Sequence, residues 1–545
     1  MTGAEHAKRL NALKQRRQFI ESYWKDTFDN TFPIRGSKIG VDTLDVVGDS
    51  KSKAARIYDG TLRNSVRGMA AALIWGLTPA NALWFEYEAE DVKGQAEKKW
   101  LEEASRTIWT NIHQSGWDVA AVEFAIDYIC AMGVVFITEA HEDSNNIYQF
   151  ETWPVHSSYY AASKRGGMID TVYRRYTLSA EQAVSDFTDK RYPLSEAIRK
   201  DAENKPDELH EFWHAIYPRK KKKAAELPIA SEHVEAKTKK LVRVSGYHEQ
   251  PFSVGRSVLV PDSVYSTGVA DDALPDHKTL NELVKYVLMN ADMAIAGMWG
   301  AVDDGVLNPK TVTIGPRKLV VMQSKDSMFP LSPGGKFDLG FMLKKDLQGG
   351  IREALLTDEF HPGNEGPEMT AYEIARREEK IAKLLSPILG RLQSEHLPTV
   401  LRRCAGIAMR VGRRGVAGEM PIIPDMPEGL KGRVNKINYK SPFAKAQKAA
   451  DIMAIERFES GFANLAKSGL TQVVDIYDVE EAQREKAQLL GVPQRLLRDE
   501  TSVKKIRQDR AAAIHAQQQQ EREASMKEKI VPEMTKGMMK GQAAA

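Results

Sequence analysis

Pro275-Asp-His-Lys-Thr-Leu-Asn-Glu-Leu-Val-Lys-Tyr-Val-Leu-Met-Asn-Ala-Asp-Met-Ala-Ile-Ala-Gly-Met298 reads as one amphipathic helix. Leu280, Leu283, Val284, Val287, Leu288, Ala291, Ile295 and Met298 recur at three- and four-residue spacing, which lines one side of a helix of about six turns. Asp276 stands where an N-cap would accept the first free amides. Residues 303–340 change character. Asn308-Pro309, Gly315-Pro316, Pro330 and Ser332-Pro-Gly-Gly335 punctuate Val-rich runs, as in a small β/loop module. A second helical run over 341–360 follows, weakened by Gly349-Gly350. The pattern therefore predicts a β/loop module at the tip of two helices. His361-Pro-Gly-Asn-Glu-Gly-Pro-Glu-Met369 is a loop with Gly363 and Gly366 as permissive hinges. Thr370-Ala-Tyr-Glu373 is a capping box opening a very long helix to about residue 411. Pro387 and Pro398 inside it predict kinks.

Working outward, residues 8–28 form an amphipathic helix with Leu10, Leu13, Phe19, Ile20, Tyr23 and Trp24 near one side. A second helix is expected over 59–75, a short strand over 84–87, and two helices over 97–132 split by Ser115-Gly116. Residues 134–140 turn to β character, and 146–260 are mostly strand-like with helical inserts at 180–187 and 194–202. Beyond the long helix, 412–442 are a Gly/Pro-rich connection and strand. Residues 443–530 are helical, with breaks at Ser468-Gly469 and Gly491-Val-Pro493 and a capping pair at Asp478 and Glu481. The glutamine run at 517–520 and the residues after 530 are expected to fray. No internal repeat has a fixed period. The fold class is α+β.

The chain has 545 residues, 42% hydrophobic and 28% charged, enough for several cored domains. Lys and Arg number 77 against 74 Asp and Glu, a net charge of +3. The chain is no polycation, so nucleic-acid contact must come from local placement or from repetition in an oligomer. Two cysteines, Cys130 and Cys404, exclude a disulfide framework and a four-cysteine zinc site. The charged N-terminus lacks a signal-peptide core. The most apolar stretch, 119–138, carries Glu123 and Asp127, and its longest uncharged run is 11 residues, where a spanning helix needs about 20. A soluble, intracellular protein with no membrane partner is expected.

His210-Glu-Phe-Trp-His214 matches the zinc-protease spacing H-E-x-x-H. The surrounding Leu-His-Glu-Phe-Trp-His-Ala-Ile-Tyr-Pro reads as a strand, which sets residues 210 and 214 about 13 Å apart, too far for one metal. A metalloprotease is the remote alternative. Ser332-Pro-Gly-Gly-Lys336 lacks both the first glycine and the final Ser/Thr of a phosphate loop. Arg219-Lys-Lys-Lys-Lys223 and the run at 237–240 are either solvated hairpin tips or contacts to nucleic acid or an acidic partner. Arg402, Arg403, Arg410, Arg413 and Arg414 cluster with no acid from 397 to 418; helix capping, subunit contacts and phosphate binding are all open. Cys130 and Cys404 read as core. No catalytic elbow or dinucleotide fingerprint is present, so neither an enzyme nor a cofactor is expected. A nucleic-acid-binding scaffold is the main alternative.

An ordered set of segments resembles the portal, or head-to-tail connector, proteins of short-tailed phages. It comprises the Arg-rich N-terminal helix with Trp24 and Pro33; Tyr58-Asp-Gly-Thr61, Leu77-Thr-Pro79 and Trp84-Phe85; Gly166-Gly-Met-Ile-Asp-Thr-Val-Tyr-Arg174 with Gln182 and Phe187; and His214-Ala-Ile-Tyr-Pro-Arg219. Ala273-Leu-Pro-Asp-His-Lys-Thr-Leu-Asn281, Pro367-Glu-Met-Thr-Ala-Tyr-Glu373, Glu395-His-Leu-Pro398, Gly491-Val-Pro493 and the basic stretch to Arg510 complete it. The basic runs around 219–240 have no place in that pattern.

The resemblance implies a portal fold: a mixed α/β wing over 1–275, a two-helix stem at 276–300 and 341–360, and a small β/loop clip at 301–340. A tunnel loop at 361–369, a long kinked helix returning to the wing over 370–460, and a helical crown with its tail over 461–545 complete it. It implies a homo-oligomeric ring, usually of about twelve subunits, at one capsid vertex. Double-stranded DNA would pass along its axis during packaging and ejection. The partners implied are the terminase large subunit, a tail adaptor, and major capsid and scaffolding proteins; the location is the virion, and the host cytoplasm during assembly. Lys344, Lys345, Glu353, Gly363, Asn364, Glu365 and Gly366 would line the channel or face DNA. Asn308, Lys310, Arg317, Lys318 and Lys325 would meet terminase or adaptor.

Overall fold

The computed structural model describes residues 1–41, 50–89, 95–140, 146–220, 226–296, 298–302, 324–331, 337–360, 380–381, 383–386, 388–411, 423–430, 432, 434–467, 477–490, 492, 496–498 and 500–541. The chain mixes helices and small antiparallel sheets and divides into two compact units. The first comprises Met1–Glu86, Ser105–Pro424 and Ile437–Ala449.

It opens with α1 (Gly3–Thr31), started by a capping box in which Thr2 and Glu5 satisfy each other's amides. The buried stripe of α1 runs Leu10, Leu13, Arg17, Ile20, Trp24 and Phe28. Phe19 and Tyr23, expected on that side, are exposed, because Arg17 takes the inward position between Leu13 and Ile20. Its guanidinium lies 3.8 Å over the Tyr159 ring and donates to the Val155 and Ser158 carbonyls at 3.0 and 2.8 Å. A buried charge so partnered is tolerated.

Next come α2 (Thr61–Leu77), α3 (Gln95–Gln114), of which the part from Ser105 belongs to this unit, and α4 (Trp117–Cys130). Gly116, at φ 81°, supplies the turn between the last two. β1 (Met132–Glu139) is flanked by β2 (Tyr148–Thr152) on one side and by β8 (Phe252–Arg256) on the other. Covered by α4, β1 is buried for most of its length, which explains its unbroken apolar run. A side chain at Gly133 would meet the Phe124 ring at 2.6 Å, so the sheet and α4 approach at a glycine. Asp127 on α4 is buried and paired with Arg35. Burial pushes its carboxyl up to about 6 against the pull of that guanidinium.

Five strands form an antiparallel meander in chain order: β3 (Ser158–Ala161), β4 (Thr171–Ser179), β5 (Leu209–Pro218), β6 (Ile229–Glu235) and β7 (Lys240–Tyr247). Leu10 and Leu13 of α1 pack against Tyr159, Tyr173 and Ala215 of this sheet. Helices α5 (Ala180–Asp186) and α6 (Glu196–Asn204) close the other core around Phe187, Ile198, Phe212 and Val242. His214 of β5 is directly opposite His233 of β6, with the rings stacked at 4.0 Å.

Helix runs through the described residues from 388 to 411 except at Leu392–His396, which is a π-turn. The sequence predicted a kink at Pro398. The ladder steps out into the π-turn just before it, since Pro398 has no amide to return to the Ser394 carbonyl. Pro387 and the capping box at 370–373 lie outside the described residues. His396 of the π-turn stacks on Phe124 at 3.9 Å and shares a 2.9 Å hydrogen bond with the Ser253 hydroxyl.

The second unit comprises Tyr87–Ala104, Asp425–Lys436 and Ala450–Ala545. Asp478 accepts from the amides of Glu480 and Glu481, both at 3.0 Å, and so caps the helix Val479–Leu490. Glu459 receives Gln483 at 2.6 Å and Lys486 at 3.4 Å. The helix Glu500–Gly541 runs through the glutamine run that was expected to fray; Ala, Gln, Glu and Lys all favour helix at exposed positions. Among the described residues, no helix is long and apolar enough to cross a membrane.

Burial holds His214 well below the ordinary imidazole value and pushes His233 and His396 each down to about 3. The unfolded chain takes up these protons below about pH 6.5, while the native chain does not. Stability should therefore be flat above that pH and fall on acidification, by up to about 1.4 kcal/mol per pH unit per histidine. Urea midpoints at pH 7, 6 and 5 test this; a midpoint that stays constant contradicts it.

Candidate functional site

α7 (Leu274–Ala296) and α8 (Phe337–Ala354) form an antiparallel pair. A side chain at Gly340 would touch Val287 at 3.1 Å, and one at Gly350 would approach the Asp276 carboxylate at 3.6 Å. These two contacts fix the alignment. α7 begins two residues before Asp276, which is therefore a first-turn residue and not the cap. Pro275 needs no amide there. His277, Leu280 and Val284 of α7 and Ile351 of α8 are buried. α8 runs straight through Gly349-Gly350; the break falls at Leu355-Leu356, where Leu356 has φ 55°. Leu356 leads into α9 (Thr357–Phe360). Beyond the far end of α7, Met298–Ala301 pairs with Met328–Leu331 as a two-stranded ribbon.

Polar side chains tie the near end of the pair to the start of α2. The Asn281 side-chain oxygen accepts from the amides of Tyr58 and Asp59 at 2.6 and 3.3 Å. Its amide nitrogen donates to the Arg56 carbonyl at 2.9 Å. Asp59 accepts from the Thr61 amide at 2.8 Å and from Gln348 of α8 at 2.8 Å. Burial alone would raise the Asp59 carboxyl. The bonds from Thr61 and Gln348 and the charge of Lys344 hold it below its ordinary value instead. His277 is fully buried beside this knot with neither ring nitrogen hydrogen-bonded, and desolvation lowers its affinity for a proton. Sequence reasoning quoted Tyr58-Asp59-Gly60-Thr61 and Asn281 as landmarks but gave them no role. Gln348 carried no signal.

Lys344 and Lys345 part company. Lys344 is half-buried toward Asp59, whereas Lys345 is exposed. Lys345 and Glu353 line one open groove of about 1200 Å³, with Met342, Asp346, Arg352 and Lys380 among its walls. Arg352 bridges to Asp358 at 3.0 Å. Asn308, Lys310, Arg317, Lys318, Gly363, Asn364, Glu365 and Gly366 lie outside the described residues, as does Ser332-Pro-Gly-Gly-Lys336. Lys325 begins the one-turn helix Lys325–Ser327.

The other candidate motifs resolve into structure. Residues 210–214 lie on β5. Glu211 is held bidentately by Arg175 at 2.6 and 3.0 Å, and His214 bonds Ser231 at 2.8 Å. Among the described residues, no group of His, Cys, Asp and Glu stands where it could hold a metal. Arg403 and Arg410 converge on Glu249 at 3.0 and 2.5 Å; Arg413 and Arg414 lie outside the described residues. Arg219 and Lys220 precede β6 and the run at 237–240 follows it, so the strand between keeps these neighbours in sequence about 20 Å apart. Residues 221–225 are outside the described set. Cys130 and Cys404 are buried.

The family described as bacteriophage head to tail connecting protein matches residues 4–497. The chain belongs to this family. Among connector-like relatives, the portal protein of Salmonella phage epsilon15 is 25% identical over 540 residues, covering 94% of this chain and 91% of that protein. A probable portal protein of Bordetella phage BPP-1 is 24% identical over 545 residues, with coverage of 94% and 91%.

Replacing Asn281 with Ala removes three hydrogen bonds, of which only the one from the Asp59 amide is part-buried. The expected cost is about 1 kcal/mol, with faster protease cleavage between 55 and 60. Thermal denaturation and limited proteolysis measure both; an unchanged variant would show that the knot does not hold the pair.

Proposed function

We propose that the protein is a phage portal: a closed ring at one capsid vertex through which double-stranded DNA is packaged and later ejected. The observation that carries this reading is the family match across residues 4–497, with two phage relatives covering nearly the whole chain. The helix pair supports it physically. Tyr286, Met289, Met293, Phe341 and Met342 are all exposed on it, an apolar face of the kind a second chain covers in an assembly.

In this reading α7 and α8 are the stem, and residues 301–340 are the clip that meets the terminase large subunit and then the tail adaptor. Asn308, Lys310, Arg317, Lys318 and Lys325 would make those contacts. Residues 361–369 are the tunnel loop, and the helix reaching residue 411 is the spine of a wing that includes 1–275. Residues 461–545 form the crown inside a head built from major capsid and scaffolding proteins. Lys344, Lys345, Glu353 and residues Gly363, Asn364, Glu365 and Gly366 are the proposed DNA-facing set. The role is mechanical, without a reaction of its own. A conduit must not grip DNA, because every phosphate contact adds salt-sensitive affinity. A chain of net charge +3 suits that need.

Native mass spectrometry with negative-stain imaging tests the reading. A closed ring of about twelve copies with an axial hole is expected. A persistent monomer that binds zinc or duplex DNA tightly would overturn it in favour of a protease or a nucleic-acid scaffold. Deleting 363–366, or Gly363→Pro, should impair packaging or DNA retention in assembled particles; normal yields of filled heads would remove the loop from the mechanism.

A further inference from the structure

The helix pair carries two outward stripes. On α7 it is Glu282, Tyr286, Met289 and Met293, spaced four, three and four apart, on the side away from buried Leu280 and Val284. On α8 it is Met342, Lys345, Gly349 and Glu353, spaced three, four and four apart, on the side away from buried Ile351. Tyr286 is 59% exposed and Met342 is 74% exposed. A side chain added at Gly349 would meet nothing within 4 Å, so α8 is open to close approach there.

The alignment of the pair sets which residues stand level. Val287 is level with Gly340, and Asp276 with Gly350. Tyr286 therefore stands level with Phe341 and Met342. Lys345, midway between Gly340 and Gly350, stands level with Glu282, near the midpoint of Asp276 and Val287. A rotation about a ring axis keeps every residue at its own height. Copies whose helix pairs stand along that axis bring the α7 stripe of one against the α8 stripe of the next, level for level. Apolar Tyr286 then meets apolar Met342, and acidic Glu282 meets basic Lys345.

We propose that this is the seam between neighbouring copies: Tyr286 packs on the neighbour's Met342, and Glu282 pairs with the neighbour's Lys345. The inference rests on the ring reading above and adds the partner of that surface. The contact is heterologous, with different patches meeting, as a ring requires. Within one chain the two stripes face apart, so neither can satisfy the other. Glu282 already lies 3.2 Å from Lys285 of its own helix, and one carboxylate can serve two ammonium groups. The seam also gives Lys345 a second duty. At the edge of the DNA path, its charge is balanced by a neighbouring carboxylate, so the repeated lysine does not become a ring that grips phosphate.

Charge reversal with rescue tests the seam on the full-length protein, read by native mass spectrometry across a concentration series. Glu282→Lys and Lys345→Glu should each raise the concentration needed for half assembly about tenfold, and the double reversal should restore it. Circular dichroism and melting temperature of each variant report folding separately. As a second measurement, Glu282→Cys and Lys345→Cys copies are mixed and treated with a bismaleimide of about 10 Å reach, a span matched to paired long side chains. Cross-linked pairs containing one copy of each are expected. Rings that form equally well in both single reversals, with no cross-link, would overturn the seam and leave the ring intact. Failure of the unaltered protein to form any ring would overturn the ring reading and the seam with it.

Discussion

A carboxamide at Asn281 determines where the helix pair can stand. It closes three hydrogen bonds to the backbone of residues 56–59, while Asp59 of that segment reaches across to Gln348 of the second helix. One short extended stretch is thus read by both helices at once. Bonds of this kind add little net stability each, but they are costly to leave unmade once buried. The knot therefore acts through specificity. It selects one placement of α7 and α8 against the start of α2, and the levels of all outward side chains follow from that placement.

Charge is handled in the same economical way across the first unit. Arg17, Arg175 and Arg403 are buried or nearly so, each against a carbonyl, carboxylate or ring. Glu249, drawn below its ordinary value by Arg410 and Arg403 despite its burial, holds two members of an arginine cluster that the sequence left open to phosphate binding. Glu211, the acid of the H-E-x-x-H string, is held by Arg175. Guanidinium groups suit this use because a planar fork meets two acceptors together. These buried arginines are internal scaffolding, and their charge is balanced within the fold.

What was legible in the sequence follows the same division. Element identity was readable wherever periodicity was local: the split at Ser115-Gly116, the strand through His210 and His214, the helix after Pro275, and the cap at Asp478. Readings failed where a tertiary partner overrode a local rule. Arg17 displaced Phe19 and Tyr23 from the buried stripe because a carbonyl pair and a tyrosine ring were waiting for it. The helical run weakened by Gly349-Gly350 forms as read, since helix packing outweighs a propensity cost of about 1 kcal/mol per glycine; it ends earlier than read, at Leu355-Leu356. The helix meets Pro398 with a π-turn at Leu392–His396, a departure from the regular ladder of the kind the proline led one to expect. At the candidate site, Lys344 and Lys345 looked equivalent in sequence. Only the position of Asp59, far away along the chain, separates them. Asp59, Asn281 and Gln348 could not be assigned from the sequence, because hydrogen-bonding side chains in loops and helices are common and their partners are set by the fold.

In the ring reading, these local choices combine through repetition. A surface ion pair contributes at most about 1 kcal/mol, too little to hold two chains together. Repeated around a closed ring and set beside an apolar contact that excludes water, the same pair recurs at every seam, and releasing a subunit means opening two of them. Weak contacts then suffice for a stable assembly, and each stays weak enough to slip as the ring accommodates DNA. A single strong contact per subunit would lock the geometry, and an unbalanced lysine would hold the cargo. The alternation of Glu282, Tyr286, Lys345 and Met342 at matching heights avoids both, which is why the exposed face of the helix pair carries neither a purely apolar nor a purely basic stripe.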